Sequence, residues 1–187
     1  MRAVSAIHVR ILRLVLGALF GALLFASQVA LAPLPNIEVV TLFIIVWTRV
    51  FRQYAVPGIA VFVLLEGLLY GFGIWFVSYL YIWFILWGLV MLFPGAVPAE
   101  PRRIVISAVL WAVLSGAYGM AFGALTAIPW LVRGGWKTAV AYTVSGLPFD
   151  VTHMIANFCL ALVLATPLTL LLSRLSDLLT GKKKAET

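Results

Sequence analysis

"VLLEGLLYGFGIWFVSYLYIWFILWGLVMLF" (63–93) decides how this chain folds. It holds a single charged side chain, Glu66, and is too long for one bilayer crossing, which takes about 20 apolar residues. Divided after Gly73, it supplies two apolar segments, 56–73 and 74–93. Outward from it lie four more, at 11–32, 37–51, 104–128 and 148–175. The expectation is an all-α integral membrane protein, with six transmembrane helices in one domain (1–187) and both termini cytoplasmic. Cytoplasmic tails would cover about 1–10 and 177–187.

Composition agrees. Hydrophobic residues make up 64% of the 187 positions and charged residues only 10%, against roughly 25% charged in soluble domains. The net charge of +7 does not point to nucleic acid, because the basic residues fall in short clusters between apolar runs. With the amino terminus inside, Arg2, Arg10, Arg13, Arg49, Arg52, Arg102, Arg103, Arg174 and Lys182–Lys184 fall on the cytoplasmic side. Of the 13 Lys and Arg, only Arg133 and Lys137 fall outside, the bias that orients membrane helices. The first apolar run is too long for a signal-peptide core and lacks a clear cleavage site. A multi-pass plasma-membrane protein is expected, with the bilayer as its solvent.

Two connections stand out. "FPGAVPAEPRR" (93–103) is the one plausible hinge, and "PWLVRGGWKTAVAYTVSGLP" (129–148) reads as an outer loop. That loop is either a lid over a binding site or an interfacial segment with its Trp and Tyr at headgroup depth.

Ionisable groups inside apolar helices are costly and mark function by default. "SGLPFDVTHMIANF" (145–158) spaces Asp150, His153 and Asn157 three and four residues apart, on one helical face. Glu66 lies mid-helix with Tyr70 four residues on. Glu38 and Asp150 each open an expected helix, where a carboxylate also complements the helix amino terminus. Both the capping and the binding readings stand for those two. For His153 and Asn157 the alternative to binding is a buried pair bonding a neighbouring helix.

Catalysis finds little support. The chain has two histidines, His8 and His153, and one cysteine, Cys159. A multi-thiolate metal site and an internal disulfide are therefore excluded. No HExxH, GxSxG or phosphate-cradling glycine loop occurs. Cys159 reads as a small buried hydrophobe. No resident metal or cofactor is expected, and no enzymatic activity.

Binding fits better. Flat rings with a few hydrogen-bonding groups make a largely apolar pocket with sparse polar fixing points. The candidate binding residues are Asn36, Glu66, Tyr70, Trp75, Tyr79, Trp136, Asp150, His153 and Asn157. On helix one, Ala18, Ala22 and Ala26 recur every fourth residue beside Gly17 and Gly21. Small residues permit close helix approach in lipid, either within the bundle or against another subunit.

The AxxxA steps of helix one, "LPNIEVVTLFIIV" (34–46), "EGLLYGFGIW" (66–75) and "SGLPFDVTHMIANF" together resemble the S components of energy-coupling factor (ECF) vitamin transporters. The resemblance spans nearly the whole chain. It implies high-affinity capture of a vitamin-type solute from outside the cell. Delivery would be to a transmembrane coupling subunit driven by two cytoplasmic ATPases, with Ala18, Ala22 and Ala26 as the docking surface. It implies a lid around Leu34–Glu38. Cobalamin is the first expectation for the solute, and a queuosine-type base or another water-soluble vitamin the alternative. The cysteine with which a cobalamin-binding relative ligates cobalt has no counterpart here. A membrane enzyme acting on lipid and a purely structural subunit are the rival classes.

Overall fold

A computed structural model describes residues 6–95 and 100–180. Arg2, Lys182, Lys183 and Lys184, and part of the 93–103 connection, lie outside the described residues. Among the described residues the chain is helical with no strand. The helices are α1 (Ala6–Leu31), α2 (Val40–Phe51), α3 (Ala55–Tyr70), α4 (Ile74–Met91), α5 (Pro101–Thr126) and α6 (Ile128–Thr180).

Five stretches are long and apolar enough to cross a membrane: Arg10–Leu31, Val40–Tyr70, Ile74–Met91, Pro101–Thr126 and Ile128–Leu178. Six were expected. The difference lies in α2, whose 12 residues extend about 18 Å at 1.5 Å per residue, short of a hydrocarbon core of about 30 Å. The chain turns sharply at Arg52 (φ 53°) into a short 3-10 turn, Arg52–Tyr54, and then α3. The Arg52 guanidinium fastens this corner by donating to the Met91 and Phe93 carbonyls at the end of α4 (2.7 and 3.0 Å). Those carbonyls have no partner within the helix.

Side-chain contacts fix the helix directions. Glu38 meets His153 and Arg49 meets Thr169, so α2 and α6 run the same way. Gly17 faces Tyr54 and Gly21 faces Val61, which makes α1 parallel to α3. Gly116 faces Phe158 and Gly123 faces Asp150, which makes α5 antiparallel to α6. Residues 6 and 180 therefore lie at the same end of the bundle, the end that holds Arg52. The α1–α2, α3–α4 and α5–α6 connections gather at the other.

The core is aliphatic and aromatic. Leu24, Ile44, Ile45, Ile59, Phe62, Ile82 and Leu86 are fully buried. α1 sits on α3 through bare backbone: a Cβ at Gly58 would stand 2.6 Å from the Gly17 carbonyl oxygen. The small residues of α1 thus divide into two faces. Gly17 and Gly21 are buried, whereas Ala18, Ala22 and Ala26 are exposed.

One reading needs correction. The 129–148 segment is helix, not loop. α6 runs through it with one break at Gly135 (φ 74°), a backbone that glycine adopts without a Cβ penalty. The two arms around that break are stapled by the stacked rings of Trp130 and Tyr142, 5.5 Å apart. Pro148 does not end the helix either; membrane helices tolerate proline where neighbouring groups re-satisfy the backbone. Its own carbonyl accepts from the Thr152 hydroxyl (3.1 Å). Arg49, counted among the cytoplasmic-side cations, lies in the last turn of α2. It is 3% exposed, donates to Thr169 and Ser107 (3.1 and 3.3 Å) and lies over the Trp111 ring.

Candidate functional site

At the end of the bundle opposite residues 6 and 180, the Ala32–Ile37 connection roofs a cavity of about 170 Å³. The roof owes its shape to Asn36, in the left-handed region (φ 60°) that asparagine enters more readily than most residues. Gln28 and Leu31 close the cavity from α1, Tyr79 and Trp83 from α4, Phe122 from α5 and His153 from α6, with Glu38 beside them.

Glu38 does two jobs. Its Oε2 accepts the Thr41 N–H at 2.8 Å, the helix-start role expected of it. Its Oε1 accepts from His153 Nε2 at 3.0 Å. Both residues are buried, at 7% and 4% exposure, and the Phe122 ring edge packs against the imidazole, 4.9 Å between centroids. Burial alone raises the Glu38 carboxyl, but the bonds and charge of His153 and the bond from Thr41 outweigh it. Glu38 ends below the ordinary carboxylate value.

A second cavity of about 330 Å³ lies alongside and shares Asn36 and Phe122 with the first. Asp150 lines it with the hydroxyl-bearing Thr126, Tyr142 and Ser145. Asp150 is no helix cap, because α6 begins well before it. Its Oδ1 accepts the Gly123 N–H of α5 at 3.0 Å, and its Oδ2 has no hydrogen-bond partner.

The spacing of Asp150, His153 and Asn157 does put them on one buried face, at 5%, 4% and 1% exposure. They do not share one chamber. His153, Tyr79 and Asn36 line the first cavity, Asn36 and Asp150 the second, and Asn157 lines neither. Both amide atoms of Asn157 are buried without a partner. Glu66 is buried in α3 with Oε1 unpartnered, and it also lies outside both cavities. Trp75 packs edge-on against Tyr79, 5.1 Å between centroids, and so supports the wall from behind.

Tyr70 and Trp136 are 49% and 65% exposed and line neither chamber. Trp136 follows directly on the Gly135 break, at the tip of the α5–α6 hairpin, rather than folding over the site. Cys159 is exposed rather than buried. The candidate residues read from the sequence did not include Gln28, Trp83 or Phe122, which line the first cavity. The amide of Gln28, one turn before the end of α1 and following Ser27 after a long apolar run, was the available signal. Among the described residues, no group of three His, Cys, Asp or Glu could hold a metal ion. Compared with protein families, curated proteins and solved structures, the chain matches none.

Proposed function

We propose that this chain captures a small water-soluble solute at one face of the plasma membrane, as the S component of an ECF-type transporter. The observation that carries the reading is the roofed cavity set over a buried carboxylate–imidazole pair. In its wall the Trp83 indole N–H is buried without a hydrogen-bond partner; such a group is costly, and a solute that bonds it repays that cost. A roof made of the short 32–37 connection can admit the solute and then exclude water, raising the worth of each bond inside. The end of the bundle with residues 6 and 180 would face the cytoplasm, and the cavity would face outside.

The exposed Ala18, Ala22 and Ala26 support the docking part of this reading. Their neighbours Gly17 and Gly21 already serve the internal seam, which leaves the alanine face smooth and unoccupied for a coupling subunit. ATP hydrolysis would belong to two cytoplasmic partner subunits. The cavity of about 170 Å³ suits a single flat ring system better than a corrin. Cobalamin would need the 32–37 roof to swing away, whereas a queuosine-type base or a smaller vitamin would not. Lipid chemistry by Glu66, Asp150 and His153 in concert gains no support, because the three lie in separate surroundings.

The test is direct. The purified chain in detergent is denatured and its released small molecules are identified by mass spectrometry, with calorimetry against a vitamin panel. Saturable binding that His153→Ala weakens, while assembly with the coupling subunit persists, is the expected result. Absence of any saturable solute, or equal loss of binding and assembly, overturns the proposal.

A further inference from the structure

The second chamber has a chemistry of its own. Asp150 is 5% exposed, its Oδ1 is taken by the Gly123 N–H, and its Oδ2 is left without a partner. No Lys, Arg or His lines this chamber. An unpaired buried carboxylate oxygen is costly and is stabilised most by a charged donor. The hydroxyls of Thr126, Tyr142 and Ser145 add groups able to orient such a donor.

The first chamber differs. Its walls carry Tyr79, Trp83 and Phe122, whose ring faces attract flat or positively charged groups. The two chambers meet at Asn36 and Phe122. The arginines of the described helices cluster towards the opposite end of the bundle, and Arg133 and Lys137 sit near the hairpin tip.

We propose that the two chambers form one bipartite site for a flat ring bearing a cationic, donor-rich arm: the ring lies against Trp83 and Tyr79, and the arm's ammonium or amidinium reaches Asp150 Oδ2. This assignment rests on the capture reading and names its substrate class. Asn36, at the shared wall, would bond the junction of ring and arm. Asp150 recognises the arm's charge, while Glu38, held by His153 and Thr41, keeps the first chamber from turning positive.

The test uses three probes that share one ring and differ in the arm: tryptamine, tryptophol and indole-3-acetate. Their affinities for the full-length chain in lipid nanodiscs are measured by calorimetry, alone and in competition with any solute that co-purifies. Tryptamine is expected to bind about tenfold more tightly than tryptophol, with indole-3-acetate weaker still. Asp150→Asn should abolish the preference while Trp83→Ala weakens all three. Equal affinity across the set, or preference for the acid, overturns the charge assignment yet leaves solute capture standing. If tryptamine fails to bind up to about 10 mM while a co-purifying neutral or acidic solute binds, the assignment is likewise overturned. Failure of every probe and the absence of any co-purifying solute sinks the capture reading itself. Wild-type selectivity decides the matter even where Asp150→Asn fails to fold.

Discussion

Breaking the Glu38–His153 pair gives the sharpest energetic test of the site. His153→Ala removes the donor at 3.0 Å and leaves the carboxylate with only the Thr41 N–H at 2.8 Å. Removing one partner of a buried pair costs about 3–5 kcal/mol, because the remaining charge stays buried. Glu38→Gln keeps the shape and can still accept the Thr41 N–H through its one carbonyl oxygen, while its amide N–H can donate to the other tautomer of His153, so its cost should be nearer about 1–2 kcal/mol. In the double variant the stranded charge is gone, and the summed losses should exceed the observed loss by at least about 1.5 kcal/mol. Reversible unfolding in mixed micelles, followed by tryptophan fluorescence, measures all three variants. The pH arm follows from the lowered Glu38 carboxyl. Its stabilisation is complete above the ordinary value of 4.5 and drains away as pH falls through the lower value of the folded protein. Glu38→Gln should remove that acid-side slope. Additivity of the single variants within about 0.5 kcal/mol would refute the reasoning, since it would mean that the two groups do not sense each other.

Three further outcomes are expected. Gly123→Ala drives a methyl into the Asp150 carboxylate, so it should lower the unfolding midpoint and disturb the second chamber, with a cost of about 1–3 kcal/mol. On the transporter proposal, Ala22→Phe, on the exposed face of α1, should leave solute binding intact yet reduce co-purification of the proposed coupling subunit about tenfold or more. Trp136→Ala, at the 65%-exposed hairpin tip, should change solute affinity by less than about twofold, the usual scale for a surface substitution. A large loss there would mean that the tip folds over the site after all.

Much of the helical plan was legible because lipid leaves the backbone few alternatives. The division placed after Gly73 falls within two residues of the observed break, where Gly71 ends α3 with φ 83°. The Asp150, His153 and Asn157 face followed from spacing alone. Other features depended on pairings that sequence does not display. Pro148 and the Gly134–Gly135 pair look like loop chemistry, yet the chain is helical on both sides of Gly135, and the Trp130–Tyr142 stack holds the two arms together. Arg49 counts in the sequence only as a cytoplasmic-side cation, because its buried partners, Thr169 and Ser107, lie far along the chain. The same distance hid the bond between Glu38 and His153. It also hid the division of the polar face into two chambers, which turns on where Phe122 and Asn36 fall.

The hairpin closed at Gly135 has a consequence for biogenesis. From 136 to 180 the chain rises about 68 Å at 1.5 Å per residue, more than twice the hydrocarbon thickness, so part of its length must stand clear of the lipid or lie along its surface. In the proposed orientation Arg133 and Lys137 have to be carried through during synthesis, each at about 2.5–3.5 kcal/mol at mid-membrane. A translocon handling α5 alone would meet the first of these cations without its antiparallel mate. Inserting both arms together lets the apolar flanks of the second share the work of moving the first, so co-translational insertion should proceed two helices at a time here.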